Sequence, residues 1–347
     1  MGKPGYPVDN VFSKLFSTKD HETMKQRGRY LLVTFWILWP APVGIFLLSP
    51  VLWAGDSPCL EAASAYTKLT KILLQGREIA IHHSGQALDK PFIHPLCTPD
   101  RRCVTYDAPA DHLHHRGLCV GWPDVSGTDF WAEVNAPPGR RGKIVPESIT
   151  TRNLDNGSVE LREKDLWRTE QETELLQSEQ IWTFWPPEGN LQILDLDLRL
   201  TALEPEVIFG SDPNAPREYH GLTLRAGPFA EPKYFNSEGI EGGQNCKGRP
   251  AKWCALSGTQ AGGPVLAALL DHPSNSTHPT RFYVQDQGMQ FISSSPNFGK
   301  PKILKQGETW RLRYRIVAAG APPEGKSWNL DELWNQWVAA TNAEPAR

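Results

Sequence analysis

The stretch Leu194-Asp-Leu-Asp-Leu-Arg-Leu-Thr201 decides the fold class of this chain. Leucine occupies every second position, and the residues between the leucines are charged or polar. Because successive side chains of a β-strand point to opposite faces, one face of this segment meets a core and the other meets water. The stretch Trp310-Arg-Leu-Arg-Tyr-Arg-Ile316 repeats the pattern. Strands with one wet face are typical of antiparallel sheets.

The other strand-like segments are short and are separated by turn residues. Asp155-Asn-Gly157 lies between two of them, and an Asn-Gly step suits a tight hairpin turn with positive φ. Further strands are predicted at 72–83, 148–154, 158–167, 178–185, 219–226, 264–270, 281–286 and 289–294. The chain lacks a repeated alternation of strands and helices, so we predict an all-β fold: a two-layer antiparallel β-sandwich, supersandwich-like.

Residues 66–320 are predicted to form the sandwich domain, and residues 321–347 a C-terminal helical tail. Asn329 can cap the helix, and the apolar stripe that follows is spaced for one helix face. The stripe consists of Leu330, Leu333, Trp334 and Trp337. We expect it to pack on the outside of the sandwich.

The charge balance and the tryptophan content indicate which classes of ligand to expect. The 347 residues carry 36 Lys and Arg against 39 Asp and Glu, a net charge of −3, and the two signs are interspersed. Nucleic acid is therefore not an expected partner, because its binding needs a basic stripe. The 13 Trp leave two interpretations open: packing within the core, or aromatic platforms that stack on sugar rings.

Residues 1–55 are predicted to be a signal peptide or signal anchor. Residues 31–54 contain no charge and follow Lys25, Arg27 and Arg29, which is the layout of an export signal. Met1 and Met24 are both candidate starts. We expect an exported protein in the periplasm, the outer envelope or outside the cell, with membrane contact only through residues 30–54 if that segment is not cleaved.

The six cysteines include no Cys-x-x-Cys pair, so a zinc ribbon or a thioredoxin-like site is not expected. Cys97 and Cys103 flank a short loop and are the first candidates for a disulfide in an exported protein.

Histidine is concentrated in Asp111-His-Leu-His-His-Arg-Gly117. In an extended chain, His112 and His114 share one face and His115 points away. Three carboxylates follow within one loop and strand: Asp124, Asp129 and Glu133. Imidazoles and carboxylates together supply a general acid and base near neutral pH, or metal ligands. The catalytic candidates are His112, His114, His115, Arg116, Asp124 and Asp129.

The segment has no metal-binding motif of fixed spacing, so the sequence predicts no particular cofactor. A divalent metal ion, if one binds, would be held by His112 and His114. The structural alternative is that the three histidines only brace loop backbone by hydrogen bonding.

A second polar segment is Asp271-His-Pro-Ser-Asn-Ser-Thr-His-Pro279. Its two His-Pro steps restrict the backbone, which suits either a rigid surface loop or a binding loop. The substrate-binding candidates are His272, Asn275 and His278 from this loop, with His94, Trp122, Trp131, His220 and Arg225 from elsewhere.

Several of these segments occur together in a known family. In order, they are Lys90-Pro-Phe-Ile-His-Pro-Leu96, Asp111-His-Leu-His-His-Arg-Gly-Leu118, Asp124-Val-Ser-Gly-Thr-Asp-Phe-Trp131 and Asp271-His-Pro-Ser-Asn275. The chain resembles, from about residue 68 to 320, the bacterial family labelled methane oxygenase PmoA. The resemblance implies an exported β-sandwich protein, often encoded among sugar-processing genes, with site residues drawn from the candidates above. A genuine membrane-bound methane monooxygenase subunit spans the bilayer several times, whereas this sequence has at most one such segment.

Three functions remain open from the sequence. The first is a hydrolase or lyase acting on a carbohydrate or sugar derivative, in which one histidine or carboxylate takes a proton, another donates one, and Arg116 steadies negative charge. Trp122 and Trp131 would stack on the ring of a small-molecule or oligosaccharide substrate. The second is a non-catalytic glycan-binding or cell-envelope module. The third is a copper-dependent oxygenase, as the family label suggests.

Two structural features separate the first two functions. Ionisable groups in one cleft that perturb each other's pKa favour the enzyme. We further expect His112, His114 and the loop from His272 to His278 to line one cavity. If these segments lie at opposite ends of the sandwich, the histidines are local braces and the enzyme ranks below the binding module.

Overall fold

The computed structural model describes residues 60–65, 69–85, 87–210 and 218–343. The signal peptide or anchor predicted at 1–55, including the apolar segment 30–54, lies outside the described residues. Within the described ranges, the structure contains no helix with the length and apolar character that a membrane crossing requires.

Eighteen strands lie in the described residues: β1 (Leu60–Ala65), β2 (Leu69–Leu74), β3 (Arg77–His83), β4 (Phe92–Leu96), β5 (Leu118–Gly121), β6 (Gly142–Asn153), β7 (Val159–Thr169), β8 (Glu174–Phe184), β9 (Leu191–Ala202), β10 (Glu206–Phe209), β11 (Gly221–Arg225), β12 (Ala230–Asn236), β13 (Trp253–Gln260), β14 (Gly263–Asp271), β15 (Tyr283–Gln285), β16 (Phe291–Ser293), β17 (Lys302–Lys305) and β18 (Thr309–Ala319). A 3₁₀ turn at Glu133–Asn135 and two helices, α1 (Gly243–Cys246) and α2 (Leu330–Ala343), complete the described elements.

The strands form two large antiparallel sheets. The first has the order β1-β2-β3-β4-β5-β11-β16-β15, and the second has the order β12-β13-β14-β18-β9-β8-β7-β6. A small sheet pairs β10 with β17. The predicted fold class, an all-β two-layer sandwich with a C-terminal helix, is confirmed.

The alternation in the deciding stretch is confirmed side chain by side chain. Leu194, Leu196, Leu198 and Leu200 of β9 are all buried in the core between the two sheets. The residues between them face outward and pair across to β18, where Asp195 accepts two hydrogen bonds from Arg315 at 2.7 and 2.8 Å. The arginine row of β18 is therefore matched by carboxylates along the wet face.

The hairpin between β6 and β7 and the C-terminal helix α2 both form where the local sequence predicts them. β6 and β7 meet at Gly157, whose φ of +80° is the left-handed conformation that the Asn-Gly step predicts. Asn329 caps α2, since its side-chain oxygen accepts a hydrogen bond from the Glu332 amide at 3.1 Å. The disulfide expected between Cys97 and Cys103 is formed. The single strand predicted at 72–83 is instead two strands, because Gln75 and Gly76 both take positive φ and turn the chain.

Two apolar clusters lie on the outer faces of the sandwich, and they position the polar loops. Trp337 and Leu330 of α2 pack on the outer face of the second sheet, against Leu270 and Val317. The outer face of the first sheet carries a separate cluster that includes Phe92, Cys119, Trp131, Ala132 and Phe291. The core between the sheets separates the two clusters.

Candidate functional site

A cavity of about 460 Å³ opens on the outer face of the first sheet. Its apolar part is aromatic, with Trp131, Tyr219, Tyr283 and Phe291 in the lining. Trp131 lines the cavity, with ring centroids 5.7 Å from both Tyr219 and Phe291. It is only 2% exposed, so the sequence prediction that Trp131 stacks on a sugar ring is corrected. Tyr219 and Tyr283 are partly exposed and supply the accessible aromatic surface. The volume falls within the range of small-molecule sites, and such aromatic surfaces suit the apolar face of a sugar ring.

Three imidazoles line the same cavity. The ring of His115 lies 4.6 Å from that of His112 and 4.6 Å from that of His114, and the outer two rings are 5.8 Å apart. The segment is not extended, because the His115 amide donates to the His112 carbonyl at 2.9 Å and closes a turn. The expectation that His115 points away from the other two is therefore wrong.

The three rings differ in their partners. Nδ1 of His112 lies 2.9 Å from a carboxylate oxygen of Asp111, which requires Nδ1 to carry the proton and leaves the Nε2 lone pair free. Nδ1 of His114 accepts a hydrogen bond from the Asn135 side-chain amide at 3.0 Å, so its neutral ring carries hydrogen on Nε2. Nδ1 of His115 is buried and has no hydrogen-bond partner among the described residues.

These imidazoles perturb each other electrostatically. Burial, together with the charges of Lys90 and His112, lowers the pKa of His114 to about 4. Burial, together with His114 and His112, lowers the pKa of His115 to about 3. Both rings are therefore neutral near pH 7. This is the pattern of mutually perturbed groups in one cleft that favours catalysis.

A buried ionic network supports the cavity from below. Glu133 accepts hydrogen bonds from Nε and NH2 of Arg116 at 2.9 and 2.8 Å, and from Nζ of Lys90 at 2.8 Å. Lys90 also donates to the carbonyl oxygens of Trp131, at 2.7 Å, and His114, at 3.1 Å. Burial opposes ionisation of Glu133, but the two cations outweigh it and lower the pKa of that carboxyl. The network thus ties the histidine turn to the loop that carries Trp131.

This network changes the interpretation of Arg116. Its guanidinium is engaged by both oxygens of Glu133 and is not among the residues that line the cavity. Arg116 is therefore a positioning residue, and the prediction that it steadies charge on the substrate is corrected. Sequence reasoning grouped Glu133 with the other carboxylates of this segment but did not predict its pairing with Arg116 and Lys90. Lys90 was not among the site candidates, and its only signal was a lysine in the largely apolar segment Lys90–Leu96.

The two catalytic carboxylate candidates hold loops. Asp124 accepts a hydrogen bond from the Gly127 amide at 3.0 Å. Asp129 accepts from the amides of Trp131 and Ala132, both at 2.8 Å. Neither aspartate lines the cavity, so the roles predicted for them are corrected to loop bracing.

Three substrate-binding candidates lie away from the cavity. Trp122 is 1% exposed in the core between the sheets, and His220 stacks on it with ring centroids 6.0 Å apart. His94 is held by Thr105, with 2.9 Å between Nδ1 and the hydroxyl oxygen. None of the three is among the lining residues, and burial removes Trp122 and His220 from any ligand.

The second polar loop lies on the other outer face and braces α2. Nε2 of His272 lies 2.8 Å from the Thr341 hydroxyl, and Nδ1 of His278 lies 2.7 Å from a carboxylate oxygen of Asp271. The Asn275 side-chain oxygen accepts from the Arg313 amide at 2.7 Å. The prediction that this loop shares a cavity with His112 is wrong, because the thickness of the sandwich separates them. His272, Asn275 and His278 have the bracing role.

Arg225, the remaining candidate, lies on β11 and lines a second cavity of about 520 Å³ next to the first. The structure therefore brings together His112, His114, His115 and Trp131, with Arg225 beside them.

The residues at the cavity do not fit a metal site. Among the described residues, no group of three His, Cys, Asp or Glu side chains converges as a metal ion requires. His114 also accepts the Asn135 amide at Nδ1, so its Nε2 carries hydrogen and offers a metal ion no lone pair.

Comparisons with known proteins give a family without a known activity. The family model that matches, over residues 70–334, is DUF6807, a family of unknown function. This match overturns the resemblance to methane oxygenase PmoA, and the copper-dependent oxygenase that the label implied is withdrawn with it. No curated protein matches the sequence significantly.

Two solved structures resemble the chain distantly. A TPR-domain containing protein from Parabacteroides distasonis is 10% identical, with a TM-score of 0.29; the match covers 82% of this chain and 54% of that protein, so this chain spans about half its length. A GalM/aldose epimerase homologue from C. elegans is 10% identical, with a TM-score of 0.31; the match covers 76% of this chain and 99% of that protein. Likenesses at this level carry no argument about function.

Proposed function

The chain belongs to DUF6807, a family of unknown function, and we propose that it is an enzyme, a hydrolase or lyase, that acts on a carbohydrate or sugar derivative in the cavity of His112, His114 and His115. The observation that carries the proposal is the triad of imidazole rings, 4.6 to 5.8 Å apart, beside Trp131. A sugar ring that stacks on the aromatic surface would present its hydroxyl groups to the imidazoles.

His112 is the general base in this proposal. Asp111 holds its Nδ1–H, so the Nε2 lone pair is available to take a proton from the substrate or from water. The carboxylate also stabilises the imidazolium that forms when the proton arrives. Positioned proton transfer of this kind contributes about 10²–10⁴-fold to the rate.

His114 is the complementary donor. The Asn135 amide fixes its tautomer, so the Nε2–H of a neutral imidazole faces substrate oxygen as a hydrogen-bond donor. Its pKa of about 4 keeps it neutral at the pH where His112 works as a base. Opposite roles on adjacent rings are what a proton-transfer reaction needs.

A non-catalytic glycan-binding module is the second candidate. The aromatic lining favours it, and so does the separation of His272 and His278 from the cavity, by the criterion drawn from the sequence. The enzyme is placed first because His114 and His115 meet the other criterion, ionisable groups of perturbed pKa gathered in one cleft. The two candidates differ in whether a bound glycan is converted to product.

We also propose that the protein is exported. The disulfide between Cys97 and Cys103 supports this, because such bonds persist in oxidising compartments. The uncharged segment 31–54 behind three basic residues supports it independently. The proposed ligand is a small-molecule or oligosaccharide substrate.

The test is turnover on a panel of oligosaccharides and 3-keto-glycosides, with and without chelator, followed by product analysis. We expect wild type to convert at least one compound, and His112→Gln to lower kcat by about 10²-fold or more while binding persists. His278→Asn, which keeps a donor for Asp271 on the opposite face, is the control and should retain activity. Binding without conversion by wild type would establish the module instead, and equal turnover by His112→Gln and wild type would refute the mechanism.

A further inference from the structure

The cavity that contains Arg225 adjoins the histidine cavity. Its lining includes Tyr106, Asp111, Arg225, Asp286 and Met289. Met289 also lines the histidine cavity, and Asp111 holds the ring of His112 there. A ligand seated among the histidines can therefore extend over Met289 to Arg225.

Arg225 is buried without a matching anion. The residue is 4% exposed, and its Nε is buried with no hydrogen-bond partner. The one hydrogen bond of its side chain within the described residues runs from NH1 to the Gln290 carbonyl at a long 3.5 Å. The Tyr106 ring centroid is 5.8 Å from its guanidinium carbon. In the described part of the chain no carboxylate lies within ion-pair distance of its guanidinium, and Asp111, in the lining of the same cavity, acts on it from farther away.

Such a charge is unfavourable unless something neutralises it. Buried guanidinium groups are normally paired, because neither water nor a counter-charge otherwise replaces their lost hydration. Arg116 in the same protein shows the usual solution, with both oxygens of Glu133 on its nitrogens. Burial lowers the pKa of Arg225, and the nearby charge of Asp111 offsets only part of that effect.

We propose that Arg225 binds an anionic substituent, a carboxylate or a sulfate, on the sugar that occupies the histidine cavity. The substrates of the proposed enzyme are then acidic saccharides. The fork of the guanidinium suits two oxygens of one anion, whereas a neutral hydroxyl would leave the charge uncompensated. This inference rests on the proposed function for the position of the sugar.

The acidic neighbours restrict where the anion can sit. Asp111 is committed to His112, and Asp286 accepts a hydrogen bond from the Gln244 side chain at 2.6 Å. Both carboxylates repel an anion that approaches elsewhere in the cavity. Recognition therefore depends on the position of the acidic group relative to the ring, not on net charge alone.

The test compares matched glycosides by isothermal titration calorimetry. The probes are methyl glucoside and methyl galactoside, the corresponding uronic acids, and the corresponding 6-O-sulfates, so that the carboxylate and sulfate sources are separated. We expect at least one acidic probe to bind 10-fold or more tightly than its neutral parent. Arg225→Gln should lower the affinity for the acidic probes to that for their neutral parents and so abolish the preference. Arg281→Gln is the control, because Arg281 is exposed and lines neither cavity. This variant should prefer the acidic probes to the same degree as wild type.

A second measurement remains informative if Arg225→Gln folds poorly. Removal of an uncompensated buried charge should raise the thermal midpoint of ligand-free Arg225→Met above that of wild type. A lower midpoint would mean that the guanidinium is already compensated, and would overturn the proposal. Equal affinity for acidic and neutral probes would also overturn it. If neutral probes bind and depend on His112, the proposed function stands even when the preference for acids is absent.

Discussion

Acidification is expected to destabilise the sandwich through His220, which is 3% exposed and stacks on Trp122. Burial lowers the pKa of His220 to about 3, whereas the unfolded chain protonates a histidine near 6.5. Below about pH 6.5 the unfolded state therefore binds more protons than the folded state, and the free energy of unfolding falls with pH. Between about pH 7.5 and about pH 5, His220 therefore lowers the free energy of unfolding by about 2 kcal/mol. The unfolded pKa alone sets the size of this loss, because the folded pKa of about 3 lies well below this pH range.

The assay is urea unfolding of wild type and His220→Phe at both pH values. Phenylalanine keeps a ring against Trp122 but cannot be protonated. The free energy of unfolding of the variant, relative to that of wild type, should therefore be about 2 kcal/mol higher at about pH 5 than at about pH 7.5. Trp122→Phe is the matched control, because it perturbs the same stack without removing a titrating group; its stability difference from wild type should be equal at both pH values. A His220→Phe difference that does not change with pH would refute the reasoning.

Three further changes test the packing and the bracing by urea unfolding. Trp337→Ala removes the 2% exposed side chain that anchors α2 and should lower the free energy of unfolding by about 3–5 kcal/mol. Gln336→Ala, on the exposed face of α2, is the control and should stay within about 0.5 kcal/mol of wild type. Equal effects of the two changes would show that α2 is not anchored by its apolar face. Asn275→Ala removes three buried hydrogen bonds and should cost about 2–3 kcal/mol without affecting ligand binding, and a loss of binding would contradict the bracing role. Gly221→Ala should cost more than about 1 kcal/mol, because φ is +79° and a Cβ would lie 2.6 Å from Cδ of Pro296; an unchanged midpoint would mean that the backbone there adapts freely.

The sequence predicts the fold well because strand periodicity and turn chemistry are local. The leucine alternation of β9, the turn at Gly157 and the cap at Asn329 each depend on residues close together in the chain. Local patterns do not determine which sheet a strand joins. The strand β11 (Gly221–Arg225) illustrates the limit, since all five of its residues are buried and it shows no alternation of burial.

The candidate site was predictable only in part. A dense run of histidines was the right signal, but the turn that gathers His112, His114 and His115 depends on tertiary packing against Trp131. The pairing of Lys90 with Glu133 joins residues 43 positions apart, so no spacing in the sequence shows it. The loop from His272 to His278 was misassigned because His-Pro steps look alike whether a loop binds a ligand or braces a helix.

The central claim is that the cavity of His112, His114 and His115 is where the carbohydrate binds. The most direct measurement is an NMR titration of histidine-labelled protein with the best-binding saccharide, followed through the imidazole C–H resonances. The structure predicts shifts for these three histidines and none for His272 and His278 on the opposite face. Shifts confined to His272 and His278, or saturable binding that leaves all three cavity histidines unmoved, would contradict it.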